Sequence, residues 1–445
     1  MKKSKKILSG FLIFITLLII LPFFIPVRTY LDKAERVASD KLGVPVSIAS
    51  GRLLLLPSPR VVVSGIEAGK LGEVKIDEVV AIPALGTLFS TTKIIDLQIG
   101  QPVIKQGALE FISSLSGKES GDVSEPAPVS VRLITVKGLQ LDWPDTKLPD
   151  VNADLVLTEA GSLQSARVES IDGSLVADVT PEAKGHLIML KAEKWSPPMD
   201  FPLQVEHADA EMHLSEGRLD IPHLAVGLYG GKVKGEAVLT WAKGWQTSGK
   251  MHVESISVKE PSRLMNQSVY LSGGLSGNGH FSSKAKNAAE LVNHMHADFK
   301  FNISKGVLHG VDLVKVASLL IKQGDKGGET RFDEFSGLLN ITGKQYHLRD
   351  IKISSGLLAA TGQVKIKPNK ALDGAVEVEL KRSVSLVAIP LDVSGTVSEP
   401  VVLPSKAALA GAVAGTAVLG PGVGTSLGVK AGGAIDKFKG LFQNK

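Results

Sequence analysis

Hydrophobic positions follow three different patterns along the chain, and the first is a long run without charge. The run extends from Ile7 to Val27 and is preceded by four lysines. About 20 apolar residues are enough to cross the hydrocarbon core of a bilayer as a helix. The run therefore predicts a transmembrane anchor, which contains the apolar residues Ile7, Phe11, Leu17 and Phe23.

A cleaved signal peptide is the alternative interpretation of this run. Such a peptide needs a small-residue, A-x-A-like site directly after its apolar part. The segment from Leu21 to Arg28 offers no such site. We therefore expect an uncleaved single-pass anchor. Short lysine-rich flanks stay on the cytoplasmic side, so the chain after Arg28 is expected on the other side of the membrane.

From Val46 onward the second pattern has a period of two, which is typical of β-strands. The cleanest alternation places Val376, Val378 and Leu380 between charged residues. Two-residue turn signals at Asp172-Gly173 and Gly230-Gly231 predict hairpins. Hairpins join antiparallel neighbours, so the pattern predicts a meandering antiparallel sheet.

Helical spacing interrupts the strands at only a few places. The segment from Tyr30 to Leu42 has one apolar face and a natural stop at Gly43. Asp312 is the candidate N-cap of a second helix that extends to Gln323. The remaining helical predictions are two short turns and one capped helix: Ala84 to Phe89, Ala108 to Leu115, and Asn287 to His296.

The third pattern is an uncharged segment rich in glycine and alanine, from Ala407 to Val429. Its small-xxx-small spacings let helices approach closely in lipid. Pro421 divides the segment into two pieces that are each too short to span a bilayer. The favoured interpretation is a helical hairpin that docks on a membrane or a partner. A re-entrant element and a flexible apolar lid are the alternatives.

These patterns divide the chain into six parts. A polar segment rich in Ser, Gly and Pro forms the clearest linker. The predicted parts are the tip and anchor (1–27), an N-terminal helix and β block (28–115), the linker (116–128), a β-sheet body (129–285), a C-terminal module (286–404) and the Gly/Ala-rich segment (405–445).

Composition argues against several classes of function. Four of the 50 basic residues precede the anchor, which leaves 46 basic against 45 acidic residues in the rest of the chain. This balance and the absence of a basic stripe predict no nucleic-acid partner. The chain contains no cysteine, which excludes disulfides and thiolate metal sites.

An enzyme is not expected either. The segment from Gly424 to Gly428 matches the G-x-S-x-G nucleophile elbow, but no histidine follows His347 to complete a triad. The ten histidines are scattered and form no HExxH motif. We therefore predict no catalytic residue, no metal and no cofactor.

An ordered set of short motifs in the C-terminal third resembles the C-terminal module of the AsmA family. The set comprises Thr330-Arg331-Phe332, Phe335, Gly337, Gly343, Asp350-Ile351, Gly356, Gly362 to Ile366, Ile389 to Thr396, and Glu399-Pro400. The beginning of the chain is also similar, with a basic N-terminus, one span, Gly43 to Val46, and Pro57-Ser58-Pro59.

The resemblance implies a bacterial inner-membrane protein with the bulk of its chain in the periplasm. Such a protein is related to chorein-type bridge proteins and has a role in phospholipid traffic towards the outer membrane. The predicted fold class is mainly β with a few helices. An N-terminal transmembrane helix would precede a long curved antiparallel sheet, open as a groove or taco-like, and a C-terminal Gly/Ala-rich helical hairpin would follow. The predicted partners are phospholipids, the inner membrane, and an outer-membrane or envelope protein.

A sheet with one apolar face must cover that face, and a lipid acyl chain is one cover. About 20 strands spaced about 4.8 Å apart would form a groove about 100 Å long. The alternative is a self-filled sheet that acts as a non-transporting scaffold for outer-membrane protein assembly. An unbroken apolar row would favour the groove. The candidate lipid positions, which could equally be sealed core, are Val364, Ile366, Val376, Val378 and Leu380.

Overall fold

The structure is a computed structural model that describes residues 27–87, 93–108, 129–143, 146–197, 203–318, 327–381 and 388–419. The predicted anchor, with Ile7, Phe11, Leu17 and Phe23, lies outside these residues, as do the linker 116–128 and residues 420–445. Within the described part of the chain, no helix is long and apolar enough to cross a membrane.

The described residues contain 22 strands and four α-helices, which confirms the prediction of a mainly β fold. The chain divides into two compact units, Met1–Gln204 and Val205–Lys445, named unit 1 and unit 2. The finer six-part division proposed from the sequence stays a prediction.

Unit 1 begins with helix α1 (Val27–Leu42) and continues with ten strands. Paired strands follow the order β1-β2-β3-β4-β5-β7-β8-β9-β10, and β6 pairs with the end of β5. The strands are β1 Val46–Leu54, β2 Arg60–Ala68, β3 Val74–Pro83, β4 Lys93–Lys105, β5 Val129–Trp143, β6 Thr146–Lys147, β7 Val151–Leu157, β8 Leu163–Ser170, β9 Leu175–Glu182 and β10 Gly185–Trp195.

Helix α1 is held against strand β1 by side-chain hydrogen bonds. Glu35 Oε1 accepts from the Ile48 backbone nitrogen at 2.7 Å, and Ser39 Oγ accepts from the Val46 nitrogen at 2.9 Å. Gly43 ends the helix with a φ of 70°, a conformation that glycine adopts without steric cost. The predicted helix and its stop are both present.

One strand pair in unit 1 departs from the predicted antiparallel meander. Strands β4 and β5 pair in parallel, with Leu97 opposite Ile134 and Ile99 opposite Val136. Parallel neighbours need a crossover of a dozen or more residues, and the 106–128 segment between these strands is long enough to provide it. The polar linker therefore connects two neighbouring strands.

The described residues of unit 2 contain twelve strands, and each consecutive pair is antiparallel. The strands are β11 Val205–Ser215, β12 Arg218–Leu228, β13 Gly231–Thr240, β14 Trp245–Ser257, β15 Tyr270–Ala285, β16 His296–His309, β17 Glu329–Thr342, β18 Gln345–Ser354, β19 Leu358–Ile366, β20 Leu372–Leu380, β21 Ala388–Gly395 and β22 Pro400–Pro404.

The hairpin predicted at Gly230-Gly231 is present, but its turn lies one residue earlier. Tyr229 and Gly230 have φ values of 49° and 72°, and Gly231 is already the first residue of β13. Two successive positive φ values fit the tight turn whose twist matches that of antiparallel strands.

Three α-helices lie in the part of unit 2 that the structure describes: α2 (Lys259–Met265), α3 (Leu313–Ala317) and α4 (Lys406–Leu419). Asp312 caps α3 as predicted, since its side chain accepts from the Lys315 nitrogen at 2.9 Å. Helix α4 covers the first part of the predicted C-terminal hairpin, whose remaining residues lie outside the description. The described part of the predicted Ala84–Phe89 helix contains a single 3₁₀ turn, Leu85–Thr87.

The helix predicted from Asn287 to His296 is wrong. Only a 3₁₀ turn, Val292–His294, forms there. The hydrogen bond typical of a helix N-cap is present, since Asn287 Oδ1 accepts from the Glu290 nitrogen at 3.0 Å. Asparagine makes such bonds in isolated turns as well as at helix starts, and here the bond lies in a turn that no α-helix follows.

Candidate functional site

An uninterrupted row of uncharged residues crosses all twelve strands of unit 2. Direct cross-strand partners share one face of a sheet, so the row can be followed through the register. This middle row consists of Ala210, Leu224, Gly235, Met251, Gly279, Phe299, Leu339, Leu348, Val364, Gly374, Val393 and Val402. At about 4.8 Å per strand, the row is about 50 Å long.

A second uncharged row lies beside the middle row on the same face. This turn-side row crosses strands β12 to β20. It consists of Ile221, Ala237, Gly249, Phe281, Ala297, Ile341, Tyr346, Ile366 and Leu372. None of its residues is fully buried, and Tyr346 is 40% exposed. The two rows form an apolar strip that is only partly shielded from water.

A third row lies on the other side of the middle row and is largely sealed. This helix-side row consists of Ile256, Leu275, Ile303, Phe335, Ile353, Ala360, Val378 and Ile389. Ile303 is 5% exposed, and Val378 is completely buried. One face of the sheet therefore changes from sealed core to accessible surface across its width.

Unit 1 repeats this arrangement by itself. Two uncharged rows cross nine of its strands, including the parallel pair. The first row is Leu53, Val61, Ala81, Leu97, Ile134, Leu155, Ala166, Val179 and Ile188, and the second is Gly51, Val63, Val79, Ile99, Val136, Ala153, Val168, Ala177 and Leu190. No residue of either row is fully buried. Each unit thus has an accessible apolar face.

Four neighbours in the turn-side row line a depression in unit 2. Ile221, Ala237, Gly249 and Phe281 are on its wall, and its volume is about 910 Å³. That volume falls within the usual range for small-molecule binding sites. The depression therefore has an apolar floor.

Glycines on this face of the sheet give aromatic rings room to lie over the neighbouring strand. A Cβ atom at Gly249 would lie 2.6 Å from the Phe281 ring, and one at Gly277 would lie 2.8 Å from the Phe299 ring. Such distances are far shorter than van der Waals contact, so a larger residue would displace the ring. Glycine at these positions keeps bulky aromatic side chains on the face of the sheet.

The opposite face of unit 2 is polar, and many of its charges are paired. Lys250 contacts Glu236 at 2.9 Å, and Lys234 contacts Glu254 at 3.1 Å. The hydrogen bond from Lys234 lowers the pKa of Glu254, and the bond to Glu236 raises the pKa of Lys250. This face is suited to water, in contrast to the apolar strip behind it.

The two edges formed by the strand ends of unit 2 differ. The edge named the helix rim carries α2 between β14 and β15, α3 between β16 and β17, and α4 after β22. Leu313, Val316 and Ala408 from its helices are buried against Leu358 and Leu391 of the sheet. The edge named the turn rim carries connections without an α-helix, at 216–217, 241–244, 286–295, 343–344, 367–371 and 396–399.

The structure separates the five predicted lipid positions into two groups. Val376, Val378 and Leu380 lie in or against the core cluster beneath α3 and α4. Val364 and Ile366 belong to the middle and turn-side rows and are half-buried. Only the second group lies on the accessible strip, because the helices seal the opposite end of the same strands.

Sequence patterns missed two features of the face. Helix α2 was not predicted, although Pro261 and Glu260 in its first turn are typical of helix starts. The continuity of the rows was also missed. It depends on which residues of neighbouring strands lie opposite each other, and bulges such as the one between Leu348 and Ile351 shift that register. A period of two shows which residues of one strand share a face, but it does not show which residues of the next strand lie beside them.

These features define a class of protein: an open β-sheet with a continuous uncharged row along one face and a paired polar surface on the other. Residues 199–347 match the family model of the AsmA family, which supports the resemblance to this family. The match covers about a third of the sequence and ends within β18, so it includes the C-terminal motifs only as far as Gly343. No curated protein matches the sequence.

Proposed function

We propose that this protein is an inner-membrane-anchored periplasmic protein whose apolar face carries or guides phospholipids towards the outer membrane. The observation that supports the proposal is the middle row of unit 2. Twelve consecutive strands contribute an uncharged residue to it, and the row is not completely covered by other described residues.

The physical argument rests on the cost of exposing apolar surface to water. Each square ångström of apolar area removed from water contributes about 25 cal/mol. A continuous exposed strip of this length is unusual for a monomer and marks a surface that another apolar group covers. A long acyl chain is uniformly apolar and could move along the row, because every position offers a similar contact.

The match to the AsmA family model suggests a role in the cell envelope related to lipid transport. The polar face of unit 2 agrees with this role, since it can remain in water while the opposite face holds acyl chains. The anchor, the periplasmic location and the delivery to the outer membrane belong to the proposal.

A scaffold for outer-membrane protein assembly is the alternative function. A scaffold needs an exposed edge or surface for its partner, but it does not need an uncharged row through every strand. Charged residues would be tolerated on an inward face that merely fills itself. The continuity of the middle row therefore favours lipid binding over the scaffold.

The test is the amount of phospholipid that the full-length protein retains after purification in mild detergent. We expect lipid above the amount that an isolated anchor would hold. Leu339→Asp combined with Val364→Asp places two charges in the middle row and should lower the retained lipid severalfold. The anchor is unchanged in this variant. Lipid bound to the anchor is therefore the same in the variant and in the unmodified protein, and it does not affect the difference between them.

A matched control places the same charges on the opposite face of the same strands. Ser336→Asp combined with Gln363→Asp should retain as much lipid as the unmodified protein. Circular dichroism of both variants checks that the sheet is intact. Equal lipid in all three proteins would contradict the proposal and favour the scaffold.

A further inference from the structure

We propose that lipid headgroups project from the turn rim of unit 2, where four lysines bind their phosphate groups. The lysines are Lys243, Lys286, Lys344 and Lys370. This inference rests on the proposed function and specifies its substrate class, which is lipids with a phosphate-bearing, anionic headgroup. It also assigns an orientation to the bound lipid: the acyl chain lies on the two accessible rows, and the headgroup lies at the turn rim.

Part of the helix rim is closed to headgroups, because α3 and α4 pack on the sheet there. Leu313, Val316 and Ala317 of α3 and Ala408 of α4 are buried over the sheet at this rim. Thr330 fixes the start of α3, because its buried hydroxyl accepts from the Leu313 nitrogen and donates to the Val311 oxygen, both at 2.8 Å. A polar headgroup on this side would have to replace well-packed apolar contacts.

The turn rim is more accessible. Ile366 and Leu372 reach this rim half-buried, and Tyr346 is 40% exposed. One connection, residues 286–295, folds back over part of the rim, with Ser283 Oγ donating to the Leu291 oxygen at 2.6 Å. An acyl chain lying on the two accessible rows would therefore direct its polar end towards the turn rim.

The four lysines lie in four successive connections of the turn rim. These connections join β13 to β14, β15 to β16, β17 to β18 and β19 to β20. Because each connection follows the previous one by two strands, their expected spacing is about 10 Å. The lysines thus form a ladder parallel to the middle row.

The lysines of this ladder have no carboxylate partner among the described residues. All four side chains are exposed. The neighbouring Lys367 differs, since it contacts Asp373 at 3.1 Å. Arg218 at the first connection is likewise occupied by Asp220, whose pKa it lowers through a hydrogen bond. The ladder therefore keeps its positive charge available for an external anion.

Acidic residues mark the ends of the ladder. Glu216 lies in the first connection of the turn rim and Glu399 in the last, while Glu290 lies beside Lys286 in the second lysine-bearing connection. An ammonium group offers three hydrogen-bond donors to a phosphate oxygen. Basic side chains near an anionic lipid surface are attracted to it over about one Debye length. The positive charges of the four lysines thus complement the negative charges of a row of lipid phosphate groups.

The experiment compares two lipids with identical acyl chains, phosphatidylglycerol and diacylglycerol. Full-length protein in detergent is equilibrated with an equal mixture, and the bound lipids are extracted and quantified. One exposed ion pair contributes at most about 1 kcal/mol, which corresponds to about a fivefold preference. We expect the unmodified protein to prefer phosphatidylglycerol by about this factor.

The ladder variant carries Lys243→Gln, Lys286→Gln, Lys344→Gln and Lys370→Gln. We expect it to bind the same total amount of lipid with its preference reduced to less than about twofold. Its matched control makes the same change of net charge on the polar face, by Lys232→Gln, Lys300→Gln, Lys352→Gln and Lys365→Gln. The control should keep the full preference for phosphatidylglycerol.

Ionic strength provides a second readout. Raising it from about 0.01 M to about 1 M shortens the Debye length from about 30 Å to about 3 Å. The preference of the unmodified protein should fall with salt, whereas that of the ladder variant should not change.

The possible outcomes separate this inference from the proposed function. Bound lipid with an equal preference in the ladder variant and the unmodified protein would overturn the role of the lysines and leave the apolar groove intact. Binding of neither lipid would overturn the proposed function, and the headgroup site with it.

Discussion

The helix-side row and the middle row of unit 2 have the same chemistry but different surroundings. Val378 in the helix-side row is completely buried, whereas Val364 in the middle row, on the adjacent strand, is half-buried. Both residues are valines on one face of the sheet. Burial therefore depends on what covers the sheet and not on the alternation within a strand.

The cover of the helix-side row comes from segments distant in sequence. Helix α3 precedes strand β20 by more than 50 residues, and α4 follows the final strand. Both pack small and aliphatic side chains on Val378 and Leu391. The difference shows that a sheet can supply its own core at one edge and leave equivalent residues accessible on the neighbouring strand.

The largest expected effect is that of a charge in the sealed row. Val378→Asp would bury a carboxylate among aliphatic side chains without a partner, which should cost more than about 4 kcal/mol of folding free energy. Urea unfolding followed by circular dichroism measures this loss. A cost below about 1 kcal/mol would show that this part of the sheet is open.

A smaller loss is expected when the cover is loosened. Thr330→Val removes the hydroxyl that bonds the Leu313 nitrogen and the Val311 oxygen, and it leaves both groups unsatisfied. The expected cost is about 1–3 kcal/mol in the same unfolding measurement. Thr342→Val at the exposed end of the same strand is the control and should change stability by less than about 0.5 kcal/mol.

The helix cap should contribute less again. Asp312→Ala removes the acceptor of the Lys315 nitrogen at the start of α3 and should cost about 1 kcal/mol. Asp333→Ala, at an exposed position on strand β17, serves as the control in the unfolding measurement. Equal stability of the two variants would show that the cap does not hold α3.

The smallest effect on stability, and the largest on lipid, is expected in the middle row. Val364→Asp leaves the new carboxylate in contact with water and should destabilise the fold by less than about 1 kcal/mol. Retained phospholipid should nevertheless fall, because a charge interrupts the apolar row. Gln363→Asp on the opposite face should leave both quantities unchanged. Loss of the fold at Val364 would make the middle row a sealed core.

Local features of the fold could be predicted from the sequence. The alternation around Val376 identifies a strand, Gly43 identifies a helix end, and Asp312 identifies a helix start. Each depends on residues within one turn or one strand. The ordered motifs also indicated a resemblance to the AsmA family, which the family model supports over residues 199–347.

Features that depend on distant segments could not be predicted. Strands β4 and β5, which pair in parallel, are separated in sequence by the linker. No local sequence pattern indicates whether two such strands run parallel or antiparallel. The sealing of Val378 depends on Leu313 and Ala408, which are remote in sequence. Asn287 shows the same limit, since its capping bond forms in a turn that tertiary hydrogen bonds hold without a helix.

The half-buried middle row has a thermodynamic consequence. An acyl chain resting on its accessible residues would supply apolar cover that an ordinary domain builds from its own residues. Ligand that binds only the folded state adds about 2.7 kcal/mol of stability at a hundredfold excess over its Kd. The cargo would thus be part of the folded structure, and the melting temperature of the protein would report how fully it is loaded.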